Sequence, residues 1–342
     1  MKKNKILLVS HVFYTNSGPV YGPVDVLKKY FDGKAKEYKV IVYSLDSKWP
    51  LVIKSIYEIL NIIHKSILFK PSLFIGIDPL NALSGIILRK LGLVKKTVFY
   101  CVDYTPTRFK NIILNKIYLW IDKLCALGSD EVWNVSLRIV KLRQEQCILK
   151  EKIKYVPNSP KFSDCPRLPE KEINRNQIVM VTGQTHSLVM DLVLESFAKV
   201  SRKIPNLHLK IIGTEKTRSQ KNVEFMGQLE NAKLLEVVSQ SRIALAIYVF
   251  SNKYSWIYYG DSKKTREYLA CGIPVIITDV VGTSVDVEKY ESGIVVRFNK
   301  DDLIKAIEKL IINKKFWKKC RTNAIKLGRD FDIIKILDKV LS

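Results

Sequence analysis

Short apolar runs alternate with helix-patterned segments along the whole chain. KILLVS (5–10), KVIVYSL (39–45), LFIGI (73–77) and KTVFYCV (96–102) lack in/out alternation, and DEVWNVS (130–136) and IKYVPNS (153–159) follow. Runs of this kind, separated by helices, predict parallel strands covered on both faces. HVFYTNSGPVYG (11–22) reads as a loop carrying Gly18 and Gly22, ahead of a helix over 23–32.

PNSPKFSDCPRLPEKEINRN (157–176) holds four prolines and few apolar residues, and reads as a linker. A second series starts after it. Strands are predicted at 177–183, 207–213, 223–227, 243–249, 274–279 and 293–298, and helices at 188–203, 230–241, 262–271 and 301–312. The pattern occurs twice, so the expected class is α/β, with two doubly wound, Rossmann-like domains. The expected divisions are an N-terminal acceptor-binding domain over 1–157, a linker over 158–176, a nucleotide-sugar-binding domain over 177–320, and a helix over 321–342 packing back toward the N-terminal domain.

Composition narrows the partners. The 342 residues carry a net charge of +24. Residues 1–157 hold 26 basic and 12 acidic side chains, and the remainder 31 and 21, so the excess is denser at the N-terminal end. Such a field favours anionic partners: membrane lipid, nucleic acid or a phosphorylated substrate. The six cysteines are scattered without a C-x-x-C, which argues against zinc and a disulfide framework. MKKNKILLVSH imitates a signal peptide, but its apolar run is too short and ends at His11, so it reads as a first strand. No uncharged run is long enough to span a bilayer.

The densest chemistry lies in YYGDSKKTREYLACGIPVIITD (258–279). Asp261 or Ser262 can cap a helix that stops at Gly272, with Pro274 opening the next strand. Helix N-termini attract phosphate through unpaired N–H groups and the dipole. Lys263 and Lys264 precede Glu267 by four and three residues and share its face. This arrangement suits phosphates at the tip and a ribose diol on the carboxylate; the alternative is an exposed ion pair worth ~0.3 kcal/mol.

KTREYLACGIPVI resembles the donor-domain signature K-x-x-E-Y-x-A-x-G-x-P-V of GT-B glycosyltransferases of the family 4 type, the glycosyl transferases group 1. FMGQLENAKLLEVVSQSRIALAIYVF, LVLESFAKVSRKIPNLHLKIIG, YVPNSP and GRDFDIIKILDKVL are similar to further segments of that family, in order over most of 153–342. Over 1–152 the resemblance rests on the first strand, the Gly18/Gly22 loop and GSDEVWNVS.

The resemblance implies a GT-B fold whose two domains face a central cleft. It implies a retaining transferase that uses a UDP- or GDP-linked sugar as substrate, with no cofactor and no metal. Carried over by position, Glu267 binds the donor ribose, and Gln228 and Leu229 meet the base. Residues 260–264, with Asp261, Lys263 and Lys264 among them, meet phosphate or sugar. Gly18 allows close approach of the N-domain loop. The chain departs from the family at Tyr259, where a second glutamate is common, and at GQTHSLVMD (183–191), where an Arg and a Lys are common. There Gly183, Gln184, Thr185 and His186 form the candidate donor loop, with Lys263 and Lys264 supplying charge.

In FYCVDYTPTRF (99–109), Asp103 follows a buried strand at the edge where open α/β sheets bind ligands. It is the candidate group to deprotonate or orient an acceptor hydroxyl, the alternative being a turn-capping Asp. Arg108 is the candidate acceptor-binding residue, or a partner for Asp103, and His11 is a second catalytic candidate. DFD (330–332) spells the D-x-D of metal-dependent transferases but sits in a basic helical segment, so no metal site is assigned. In VIKSIYEILNIIHKSILFK (52–70), Lys54, Glu58, Asn61 and Lys65 form a narrow polar stripe beside a broad apolar face. That face either packs on the sheet or lies on a membrane interface.

The expected function is transfer of a sugar from a nucleotide-sugar to a glycan or lipid-phosphate-linked acceptor in cell-surface polysaccharide or glycolipid synthesis. The expected location is cytoplasmic, peripheral at the inner face of the membrane. The alternatives are a nucleotide-sugar epimerase of GT-B fold and a catalytically inactive GT-B subunit. Nucleic-acid binding is disfavoured, because the lysines are spread and no zinc finger or basic-aromatic strand motif is present.

Overall fold

The computed structural model describes residues 5–15, 18–20, 22–32, 34–44, 49–183, 187–215, 220–249 and 255–342. It divides into two units, residues 1–156 with 337–342, and residues 157–336.

The first unit begins with β1 (Lys5–Thr15), β2 (Gly18–Val20), α1 (Val24–Phe31), β3 (Glu37–Ser44) and α2 (Leu51–Phe69). It continues with β4 (Leu73–Ile77), α3 (Pro79–Lys90), β5 (Lys96–Cys101), α4 (Ile112–Gly128), β6 (Glu131–Asn134), α5 (Leu137–Glu145) and β7 (Ile153–Tyr155). Six strands form a parallel sheet in the order β3-β1-β4-β5-β6-β7. All five residues of β4 are buried, which is why its sequence shows no alternation.

Residues 11–22 differ from the expected loop. The β-branched and aromatic run continues β1 to Thr15, and β2 pairs antiparallel with it, Thr15 opposite Gly18.

The helix α2 differs from expectation in orientation. Its stripe residues Lys54 and Glu58 turn inward, Glu58 being 5% exposed, with Ile62, Ser66 and Phe69 buried on the same side. The reason is polar: Lys54 Nζ donates to Ser44 O, and Glu58 meets His11 on β1.

The second unit holds β8 (Asn174–Val181), α6 (Ser187–Lys203), β9 (His208–Ile212), β10 (Val223–Phe225), α7 (Asn231–Ser239), β11 (Ser241–Ala246), α8 (Ser255–Tyr259) and α9 (Lys263–Ala270). Then come β12 (Val275–Thr278), α10 (Ser284–Tyr290), β13 (Gly293–Val296), α11 (Lys300–Ile312) and α12 (Lys314–Asp330); α13 (Ile333–Leu341) starts in this unit, and from Leu337 on it belongs to the first. Its parallel sheet runs β10-β9-β8-β11-β12-β13. Two apolar clusters cover it, one around Phe197, Leu245 and Trp317, the other around Val238, Leu269 and Ile277.

The proline-rich stretch 157–176 is packed onto this unit. Cys165 and Ile173 are buried, and Arg167 Nη1 donates to the carbonyls of Phe162, Cys165 and Ala270. Arginine thus satisfies carbonyls that a proline-rich backbone cannot pair in a ladder. At the other end, Asp338 on α13 accepts from Tyr30 Oη (2.8 Å) and Lys34 Nζ (2.6 Å), within the first unit.

Two glycine approaches sink α3 into the first sheet. A Cβ at Gly76 would lie 2.6 Å from Ala82 Cα, and one at Gly85 would lie 2.5 Å from the Phe74 ring. Gly76→Ala forces backbone against backbone and should cost about 1–3 kcal/mol, as overpacking does. Urea denaturation of the variant checks it.

Candidate functional site

In open parallel sheets, ligands bind beyond the carboxyl ends of the strands, where the strand order reverses. In the second unit that point lies between β8 and β11, and α9 starts at the same edge. Ser262 caps α9, accepting from Thr265 N (3.2 Å) and Thr265 Oγ1 (2.8 Å), and pairs with Tyr248 Oη (2.6 Å). Behind the tip, Arg266 donates from Nη2 to Asp261 (2.7 Å) and to Asp286. Thr283 Oγ1 (2.9 Å) and Asn158 N (2.8 Å) also donate to Asp261. The Asp261 side chain is 0% exposed. The structure thus places the Asp261 carboxylate inside this junction, paired with Arg266, Thr283 and Asn158.

Lys264, Lys263 and Glu267 occupy the other side of the tip. Lys264 Nζ lies 4.0 Å from where a Cβ of Gly183, just after β8, would stand. Its ammonium makes no hydrogen bond or ion pair with a described residue, and burial pushes its pKa down against the pull of Glu267. Glu267 is nearly buried, with Lys263 Nζ 3.6 Å away and itself exposed. Burial raises the Glu267 carboxyl, and Lys263 and Lys264 restrain the rise. A partly desolvated ammonium at a helix N-terminus is chemistry for an anion, and a carboxylate beside it accepts hydroxyls.

Neighbouring loops are stitched to the same edge. Gly213, at φ +97°, approaches so closely that a Cβ would lie 1.8 Å from Thr182 O. Its N–H donates to Gly227 O (2.6 Å). Gly227 takes φ +60° into open space, and after it Gln228 is exposed and Leu229 half-buried.

In the first unit the strand order reverses between β1 and β4. His11 on β1 sits there, its Nε2 3.0 Å from Glu58 Oε2 and its Nδ1 2.9 Å from Asn81 Nδ2. Asn81 Nδ2 also donates to Ile77 O (2.7 Å), which fixes the amide orientation. An amide nitrogen only donates, so Nδ1 accepts and Nε2 carries the hydrogen to Glu58. Both ring nitrogens are engaged, and His11 positions α2 and α3 against β1.

Asp78 ends β4 at φ 69°, ψ 160°, a region otherwise kept for glycine. Its amide donates to Tyr100 O (3.1 Å), but its carboxylate has no hydrogen-bond partner among the described residues. Burial, and then the Asp103 carboxylate, push the Asp78 carboxyl up to about 6, against Arg108 and His11. Asp103 follows β5, is half-exposed, and takes Arg108 Nη1 at 3.0 Å.

Residues 168–327 match the family model for glycosyl transferases group 1. The matched segment lies within the second unit. No curated protein sequence matches the chain. In fold, the chain is similar to sucrose-phosphate synthase from Thermosynechococcus elongatus, with TM-score 0.71, 13% identity, and coverage of 99% of this chain and 98% of that one. It is also similar to Anabaena Alr3699/HepE in complex with UDP, with TM-score 0.73, 13% identity and 98% of each chain covered. A third likeness is a Listeria monocytogenes protein described as a UDP-N-acetylglucosamine 2-epimerase, with TM-score 0.66, 13% identity, and 99% and 96% covered. At these identities the likenesses establish the GT-B fold.

Within the second unit the structure brings together Gly183, Lys263, Lys264 and Glu267, with Gln228 and Leu229 on the same sheet edge. Gln184, Thr185 and His186 lie outside the described residues. Gly18, in the first unit, is the first residue of β2. In DFD, Asp330 accepts from Tyr290 Oη (3.2 Å), and Asp332 accepts from Ile334 N (2.8 Å) at the start of α13. Among the described residues no group of three His, Cys, Asp or Glu side chains could hold a metal. Sequence reasoning missed Asp78; its one signal was an Asp-Pro step ending a fully apolar strand.

Arg266→Met leaves Asp261 and Asp286 buried without their cation. It should lose about 3–5 kcal/mol. Urea denaturation of the variant against the parent reads this. Asp78 has a folded pKa above its unfolded one, so its contribution is present below the unfolded pKa and lost as pH rises through about 6. Asp78→Asn should accordingly stabilise the protein at pH 8 and change little at pH 4, measured by thermal melting.

Proposed function

We propose that the chain transfers a sugar from a nucleotide-sugar, UDP- or GDP-linked, to a hydroxyl of a glycan or lipid-linked acceptor, in cell-surface glycan synthesis. The reading is carried by the Lys264 ammonium. It is half-buried at the α9 N-terminus without a described partner, inside the segment that matches the glycosyl transferases group 1 model. The donor diphosphate lies against Lys264, Lys263 and the α9 N–H groups, and the ribose diol on Glu267. Gln228 and Leu229 meet the base. UDP in the Anabaena structure and UDP-2-fluoro glucose on the Escherichia coli trehalose-6-phosphate enzyme support a nucleotide-sugar.

In the first unit the acceptor is oriented by the Arg108–Asp103 pair, and Asp78 is the group that takes the hydroxyl proton. A carboxyl near pH 6 is placed to accept a proton and still be ionised at neutral pH.

A second reading, nucleotide-sugar epimerisation, is favoured by the Listeria likeness. It is distinguished by turnover of UDP-sugar without any acceptor.

UDP or GDP should raise the melting temperature of the protein, and Glu267→Ala and Lys264→Met should each reduce nucleotide affinity about tenfold or more. Asp78→Asn should keep the nucleotide-induced shift and lower acceptor-dependent transfer by about 100-fold or more. An unchanged nucleotide affinity in Glu267→Ala sinks the donor assignment. Full transfer in Asp78→Asn sinks the base.

A further inference from the structure

We infer that the face of the first unit formed by α2 and α4 docks on an anionic membrane surface. These helices flank α3, which the Gly76 and Gly85 approaches bury against the sheet, so α2 and α4 stand as two ridges beside a recessed helix. The ridges are apolar where they meet solvent. On α2, Ile53, Ile56, Tyr57, Leu60, Ile67 and Leu68 are exposed, Leu60 at 61%. On α4, Ile112, Ile113, Ile117, Trp120 and Leu127 are exposed, Trp120 at 63%. Trp49 and Tyr57 stack edge to face, 5.6 Å apart, at the start of α2. Indole and phenol rings at a surface suit the headgroup level, where one end is wet and the other apolar.

Charge selects the occupant. Across α2, α3 and α4 the sequence holds only two acidic residues, Glu58 and Asp122, and both are buried, the first on His11 and the second on Arg143. The exposed charges on these helices are all positive: Lys65, Arg89, Lys90, Lys116 and Lys123. Arg89 has an ion pair, with Asp130 at 3.4 Å. An apolar surface with cations and no exposed carboxylate matches an anionic lipid layer, which takes the apolar crests and attracts the lysines together. A second copy of this chain would set lysine against lysine. Among the described residues no helix is long and apolar enough to cross a membrane, so the contact is lateral. The inference does not rest on the reaction assigned above.

The test is co-sedimentation of the full chain with phosphatidylglycerol–phosphatidylcholine vesicles and with phosphatidylcholine vesicles alone. Binding should be about tenfold or more tighter to the anionic vesicles and weaken in ~0.5 M NaCl. The double variant Leu60→Glu, Trp120→Glu should lose about tenfold or more of that binding. Ile312→Glu, at an exposed apolar position of the second unit, should bind as the parent does. Circular dichroism and thermal melting establish that each variant is folded. Three outcomes overturn the inference: binding unchanged in the double variant, equal binding to both vesicle types, or a concentration-dependent dimer abolished by the double variant with no vesicle binding.

Discussion

The second unit turns on one buried guanidinium shared by two carboxylates. Arg266, 1% exposed, sits between Asp261 and Asp286, with Thr283 and the Asn158 amide closing the set. Buried ions are weak sources of stability, since desolvation offsets most of their attraction. Their geometry is strict, however, and that is what this junction supplies. With Arg266 drawn inward, the rotation of α9 is set, and Lys264 and Glu267 come out at the β8 edge. From behind, α12 approaches at Gly328, where a Cβ would lie 2.7 Å from Ala270 Cα, so α9 has no room to roll. The same carboxylate holds Asn158, tying the start of the unit to its functional helix.

The first unit solves a similar problem with neutral groups. His11 bridges Asn81 on α3 and Glu58 on α2, so three elements are keyed to one imidazole. One consequence is that α2 spends its only acidic residue on the interior and leaves apolar side chains outside. Another is the strained Asp78, held at a glycine-like backbone angle between β4 and α3. Strain, and a carboxyl with no hydrogen-bond partner among the described residues, are stability given up at one point of the sheet edge, and such points cluster at functional sites.

Legibility followed burial. The strand 73–77 was readable residue for residue, because a strand covered on both faces leaves an unbroken apolar run bounded by polar residues. The start of the helix at 263 was readable from Ser262 and the stop from Gly272, whose φ of +75° favours glycine. The strand at 153–159 ended early, at Tyr155, short of Pro157. The loop at 11–22 was misread because glycine and proline there weigh more in a local pattern than the β-forming run before them. Asp261 looked like a ligand-binding carboxylate, since nothing local announces partners at Asn158 and Thr283.

By itself the sequence determined the two α/β units and their strand segments, because periodicity is a local property of the chain, and its motifs carried the resemblance to the glycosyl transferases. It also determined the excess of positive charge. Only the tertiary structure decided which polar residues face inward. Glu58 and His11 pair across 47 residues and Asp261 reaches Asn158 across 103, while Lys264 and Asp78 have no hydrogen-bond partner among the described residues. A charged side chain's role depends on what surrounds it, and pairing across such separations leaves no trace in the pattern along the chain.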